Sequence, residues 1–215
     1  MFHPIRHFQT VTRHRHLVIA HCFRAGIGLQ GLLHDLSKYE PTEFIPGALY
    51  FQGTRSPNER EREVYGYSFA WMHHKGRNRH HFEYWSDLNP ATRRYEAARM
   101  PMRYVKEMFC DRVAASKIYQ GGNYNDHHPL EYFLRGNARS RMHPDTADLL
   151  EGWLTMLAEK GEEKTFAHLR AIPNESAYGH RPILMQPELF AKSTVKNGEN
   201  SENGEKQETS RKAKK

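Results

Sequence analysis

"TVTRHRHLVIAHCFRAG", residues 10–26, decides the fold class. His14, Leu17, Val18, His21, Cys22 and Ala25 recur at i, i+3, i+4, i+7, i+8 and i+11, the stripe of one helix face. Thr10 or Thr12 can cap its start, and Gly26 or Gly28 can end it. The same period runs on through Leu29, Leu32, Leu33 and Leu36, up to His34-Asp35. Downstream, Pro101 opens "PMRYVKEMFCDRVAASKIYQGG" and Pro144 opens "HPDTADLLEGWLTMLAEKG", with Gly121 and Gly161 as their expected ends. No pair of segments alternates with period two, and no Asn-Gly or Asp-Gly turn joins apolar strands. The expected fold is therefore all-α.

The bulk numbers bound the rest. A chain of 215 residues, 38% hydrophobic and 27% charged, suits one globular helical domain. The domain is expected over 1–188. The segment 189–215 is rich in Lys, Glu, Asn and Ser, and reads as a disordered tail. No apolar run reaches the roughly 18 residues of a spanning helix. The start, "MFHPIRHFQT", lacks a secretory apolar core. These two features predict a cytoplasmic protein with no membrane partner. Cys22 and Cys110 lack metal-type spacing and read as small core residues. The formal net charge of +7 suits an anionic substrate as well as it suits nucleic acid, and a phosphorylated small molecule or nucleotide is the favoured partner.

Polar residues on apolar faces carry the functional signal. In the helix after Pro101, Asp111 shares a stripe with Tyr104, Met108, Ala115 and Ile118. A carboxylate in such a place is seldom buried unless it is paired. His14 and His21 sit on the first helix's stripe, and His34-Asp35 closes the apolar run after it. Imidazole and carboxylate together are the donor set of a divalent metal, which would offset the cost of burying them. Adjacent His34 and Asp35 diverge by about 100° on a helix, so they converge on one ion where a helix end is aimed at it, or one of them supports the other, the ligand, from behind.

A histidine, then His-Asp at the end of "LLHD", then an aspartate on a later helix, resembles the signature of the HD-domain superfamily. His14, His34, Asp35 and Asp111 match it in that order, over roughly residues 10–120. His16 and His21 are the alternatives to His14. "HDLSK" resembles the variant with a basic residue at the position of Lys38. A second cluster, "WMHHKGRNRHHFEYW" (71–85), has four histidines in nine residues. With the "HDLSK" motif it looks closest to an uncharacterised group of short HD-like proteins. In some superfamily members extra histidines at such a place hold a second metal.

The resemblance implies a helical bundle holding one or two divalent ions (Mn, Fe, Mg, Zn or Co) and hydrolysing a phosphate ester or nucleotide through metal-bound hydroxide. Its ligands would be His14, His34, Asp35, Asp111, His74 and one of His80 or His81, taken as His81. Lys38, Arg77 and Arg79 would hold the phosphate, and His80 would protonate the leaving oxygen, with Lys38 and Asp35 completing the catalytic set. Many one-metal nucleotidases of this type have an acidic residue where Lys38 stands, which points away from their mechanism. The alternatives are a di-iron oxygenase of the same type, or a non-catalytic helical domain binding a nucleotide or RNA.

Overall fold

Polar tethers and small residues, more than propensity, set where the helices begin, end and meet. A computed structural model describes residues 1–174. The order is α1 (Pro4–Arg24), α2 (Gly28–Leu32), α3 (Pro41–Leu49), α4 (Pro57–Tyr65), α5 (Phe69–Arg77), β1 (Ser86–Leu88), β2 (Tyr95–Ala97), α6 (Met102–Gln120), α7 (His128–Arg135) and α8 (Pro144–Ala171). The protein is all-α apart from the β1–β2 hairpin, which periodicity did not reveal. Its strands are almost wholly exposed and so carry no alternating apolar face. The expected boundary at 188 and the tail 189–215 lie outside the described residues.

α1 starts two turns earlier than the threonines suggested. Pro4 occupies its first turn, with φ already helical and no N–H to satisfy. The His3 N–H bonds to the Ala48 carbonyl of α3 at 2.9 Å, which ties that start to a neighbour. The α1 stripe buries His7, Val11, His14, Val18, His21 and Cys22. It packs on α2, α3, α6 and α8.

In α6 the buried stripe is Val105, Phe109, Cys110, Val113 and Ala114. Of the expected stripe Met108 joins this core, while Tyr104, Asp111, Ala115 and Ile118 lie to one side of it, half-buried. Leu150, Trp153, Leu154, Leu157, Phe166 and Leu169 of α8 close the core over α6. The first helical piece of α8 ends at Gly161, as expected. There the backbone turns to φ 78°, ψ 170°, a conformation open to glycine, and a second helical piece runs on to Ala171. Lys106 is fully buried, and its ammonium donates to the Ile172 carbonyl and to Asn174 Oδ1, both at 2.7 Å. It clamps the end of α8 against α6.

The leucines around His34-Asp35 face outward. Leu29, Leu32, Leu33 and Leu36 are all exposed, and Gly31 is the buried residue of α2. A side chain at Gly31 would collide with Cys22 on α1, so the short helix lies flat on its neighbour with glycine as the contact and its leucines turned away.

Gly31→Ala should therefore cost ~1–3 kcal/mol in denaturant unfolding, as overpacking does. Gly152→Ala, at an exposed α8 position with open space around it, should stabilise by up to ~1 kcal/mol.

Candidate metal centre

α1, the α2–α3 connection, α5 with the segment after it, and α6 bring their polar groups to one place. α1 contributes His14, and α6 contributes Asp111 one turn after Glu107. Between α2 and α3 lie His34 and Asp35. Asp35 has φ 52° and ψ 30°, the left-handed region that aspartate visits at a cost of ~1–2 kcal/mol. This turn solves the geometric problem of the adjacent pair. His34 Nε2 and Asp35 Oδ2 come within 3.2 Å rather than diverging. Arg15 fixes the turn from α1, with Nε donating to the His34 carbonyl at 3.0 Å and a second guanidinium nitrogen donating to the Leu32 carbonyl.

Three groups of donors result, and Asp35 belongs to two of them. One of these is His14, His34, Asp35 and Asp111, the other Asp35, His74, His80 and His81; the third, His34, His80 and Glu107, lies behind them. Asp35 Oδ1 lies 3.3 Å from His74 Nε2 and 3.4 Å from His80 Nε2. Its Oδ2 faces His34 and, at 2.7 Å, the Lys38 ammonium. Asp111 Oδ1 lies 3.0 Å from His14 Nε2 and 3.6 Å from His34 Nε2. The Nε2 atoms of His14, His34, His74, His80 and His81 and the Oδ1 of Asp35 are buried without a hydrogen bond, while Asp35 Oδ2 meets the Lys38 ammonium. Buried polar atoms nearly always have partners. So many orphaned donors pointing at one another is the arrangement a metal ion completes, and these residues could hold one.

A layer of carboxylates behind the rings orients them. His34 Nδ1 donates to Glu107 Oε1 at 2.9 Å, and His80 Nδ1 lies 3.3 Å from the same oxygen. His74 Nδ1 donates to Glu43 Oε2 at 2.7 Å, and His73 Nδ1 to Glu43 Oε1 at 2.7 Å. A proton held on Nδ1 leaves the Nε2 lone pair free toward the centre, which is how metal-binding histidines are held. Asn78 donates to Ser37 Oγ and the His74 carbonyl at 2.9 Å each, joining α5 to the turn after Asp35.

The charges are unbalanced. Asp35, Asp111, Glu107 and Glu43 meet one ammonium, Lys38. Burial opposes ionisation of Asp35, but His34, Lys38 and His74 outweigh it and hold the carboxyl well below its usual range. The same contest at Asp111, decided by His14 and His34, gives the same result. At Glu107 burial loses to the two histidines, and the pKa falls to about 2. Burial alone would strip the proton from His34, yet Asp35, Asp111 and Glu107 raise its pKa well above 6.5. His81, buried beside His80 and His74, is pushed well below that value. Lys38 keeps its proton against burial because Asp35 and Asp111 face it.

Among the alternatives for the first histidine, His14 is at the centre. His16 is exposed, and His21 packs elsewhere, 3.2 Å from the Cys110 carbonyl. His74 faces inward as expected, with His73 behind it. The expectation that one of His80 and His81 faces inward is corrected: both do, because the chain turns into a short 3-10 helix at Phe82 and both rings stack on the centre, their centroids 4.1 Å apart. Arg77 is exposed, and Arg79 donates to the Tyr104 hydroxyl at 3.3 Å. Glu43 and Glu107 were missed. Glu107 had a signal, one helical turn before Asp111; Glu43 had none, since only the packing of α3 on α5 aims it.

One sequence family, a family of unknown function (DUF5662), matches residues 3–156. The chain belongs to that family. Comparisons with curated proteins and with solved structures returned no match. The family match spans both donor sets and the carboxylates behind them.

Glu107→Gln should weaken metal binding ~10–100-fold in a competition titration with a chromophoric chelator, the usual effect of losing such a partner. Metal affinity should also rise with pH through neutrality. His34 holds a proton above pH 6.5 in the metal-free centre, and that proton must leave before Nε2 can donate. Calorimetry in buffers of different ionisation enthalpy should show proton release on binding; uptake would reverse the sign.

Proposed function

We propose that this protein is a metal-dependent phosphohydrolase of HD type acting on a phosphate ester or nucleotide, with two divalent ions held by the two donor sets that share Asp35. The observation that carries this reading is the set of orphaned Nε2 atoms grouped on the two sides of one carboxylate. The chain order His14, His34, Asp35, Asp111 supports it, being the order of the superfamily signature. Five imidazoles among the donors favour Mn, Fe, Co or Zn over Mg, which prefers oxygen ligands.

A bound divalent ion lowers the pKa of water and polarises a phosphoryl oxygen. The chain's own groups supply the rest. Lys38 shares its charge with Asp35, and its side chain is partly exposed, so the ammonium's remaining protons can meet a phosphate oxygen. Arg79, held beside His80 by the Tyr104 hydroxyl, stands where it can meet a second anionic group. His80 joins the donor set, since its Nδ1 faces Glu107 and its Nε2 faces Asp35. That removes it from the acid role. Glu107 and Glu43 keep the rings from turning, so the centre is organised before substrate arrives.

Elemental analysis of protein purified without chelator, together with hydrolysis of a panel of phosphomonoesters, diesters and nucleotides, tests the reading. The expected result is two equivalents of a transition metal and metal-dependent phosphate release. Asp111→Asn should remove the equivalent held by His14, His34 and Asp35 and lower phosphate release by at least tenfold. His74→Ala/His81→Ala should remove one equivalent and leave the other. Full occupancy in Asp111→Asn would reduce that residue to a structural ion-pair partner. Two irons with dioxygen uptake and no phosphate release would replace the hydrolase by an oxygenase.

A further inference from the structure

The outward-facing leucines form a surface that the metal centre does not use. Leu29, Leu32, Leu33 and Leu36 fall within eight residues, and Leu29 and Leu33 are 82% and 70% exposed. The exposed Phe23 ring of α1 lies across Gly28, next to Leu29, and extends the apolar surface. Leucines grouped this way on a protein of this size mark a contact surface more often than chance exposure.

The charge around them identifies what they contact. Residues 1–39 contain one acid, Asp35, which is buried in the metal centre and paired with Lys38; of the arginines, Arg24 pairs with Glu162, which leaves Arg6, Arg13 and Arg15. Arg15 binds the Leu32 and His34 carbonyls, so its guanidinium sits directly at the leucine segment, with no carboxylate partner among the described residues. On the other side, Gln30 of α2 donates to the Arg103 carbonyl at 3.3 Å. The exposed Arg103 side chain there turns to Tyr104, not to an acid. A leucine surface beside Arg15, with no exposed carboxylate on its own segment, repels a second copy of itself and attracts an anionic apolar interface. We propose that the α2 leucine surface docks on the headgroup region of membranes containing anionic phospholipid.

The absence of a spanning segment does not bear on this. A surface contact needs a few apolar side chains at acyl-chain depth and cations at headgroup level. The proposal is independent of the chemistry at the metal centre, although His34 and Asp35 lie in the same stretch of chain and would come with it to the lipid surface.

Vesicle sedimentation with the full-length protein tests it. Phosphatidylcholine vesicles containing phosphatidylserine should bind the protein, those of phosphatidylcholine alone much less, and binding should weaken as salt is raised. Leu29→Ser/Leu33→Ser should bind on the order of tenfold more weakly, with metal content and thermal melt unchanged. Leu134→Ser, which removes an exposed leucine from α7, should bind as the parent does. Failure of the parent to bind the anionic vesicles would overturn the proposal. So would equal binding by the double variant, which would assign the affinity to another basic part of the chain. A dimer in sedimentation equilibrium that the double variant dissociates would overturn it in favour of a second copy as the occupant.

Discussion

The carboxylate of Asp35 is the group on which the arrangement turns. It is almost wholly buried, sits on a left-handed backbone, and faces imidazoles with one oxygen and an imidazole and an ammonium with the other. An anion so placed is tolerable only where positive charge or a cation surrounds it. Each neighbouring element is positioned to meet that condition. α1 delivers His14 and the arginine that fixes the turn, α5 and its exit deliver three rings, and the 3-10 turn after Asp35 returns Lys38 to it. Strain of this kind persists where the surroundings over-determine it, and here Arg15, Asn78 and Gly31 do so from three directions.

The second constraint is orientation. An imidazole offers two nitrogens, and a free ring can present either. Glu107 and Glu43 remove that freedom for three rings by accepting from their Nδ1–H groups. Both carboxylates come from rigid helices that pack against the core, α6 against α1 and α8, α3 against α1. The precision of the centre thus derives from the packing of apolar residues such as Val105, Phe109 and Val18, which fix where those helices lie.

The flat seating of α2 links this interior to the surface. Because glycine is its contact with α1, the segment approaches closely enough for His34 to reach the centre, and its leucines have nowhere to go but outward. The same local geometry produces a buried polar centre and an exposed apolar surface within a few residues of each other.

The helices, the core stripe of α1, the ends of α6 and the metal-type pairing of His14, His34, Asp35 and Asp111 were legible in the sequence. Their signals are local, carried by side-chain period, Pro and Gly punctuation, and polar residues in apolar company. Asp111 was found through a stripe drawn slightly off the true one, because a carboxylate at the margin of a buried face looks the same in one dimension as one at its middle. What only the tertiary structure decided is everything that needs direction. The leucines before His34 kept a perfect helical period yet faced out, since period says that residues share a face and not which way the face looks. Both members of the second histidine doublet turned inward because a helix ends between them and the first. Glu43 joined the centre from a helix whose sequence gives no hint of it, because the position of its carboxylate depends on how α3 lies against α5, and long-range packing alone fixes that.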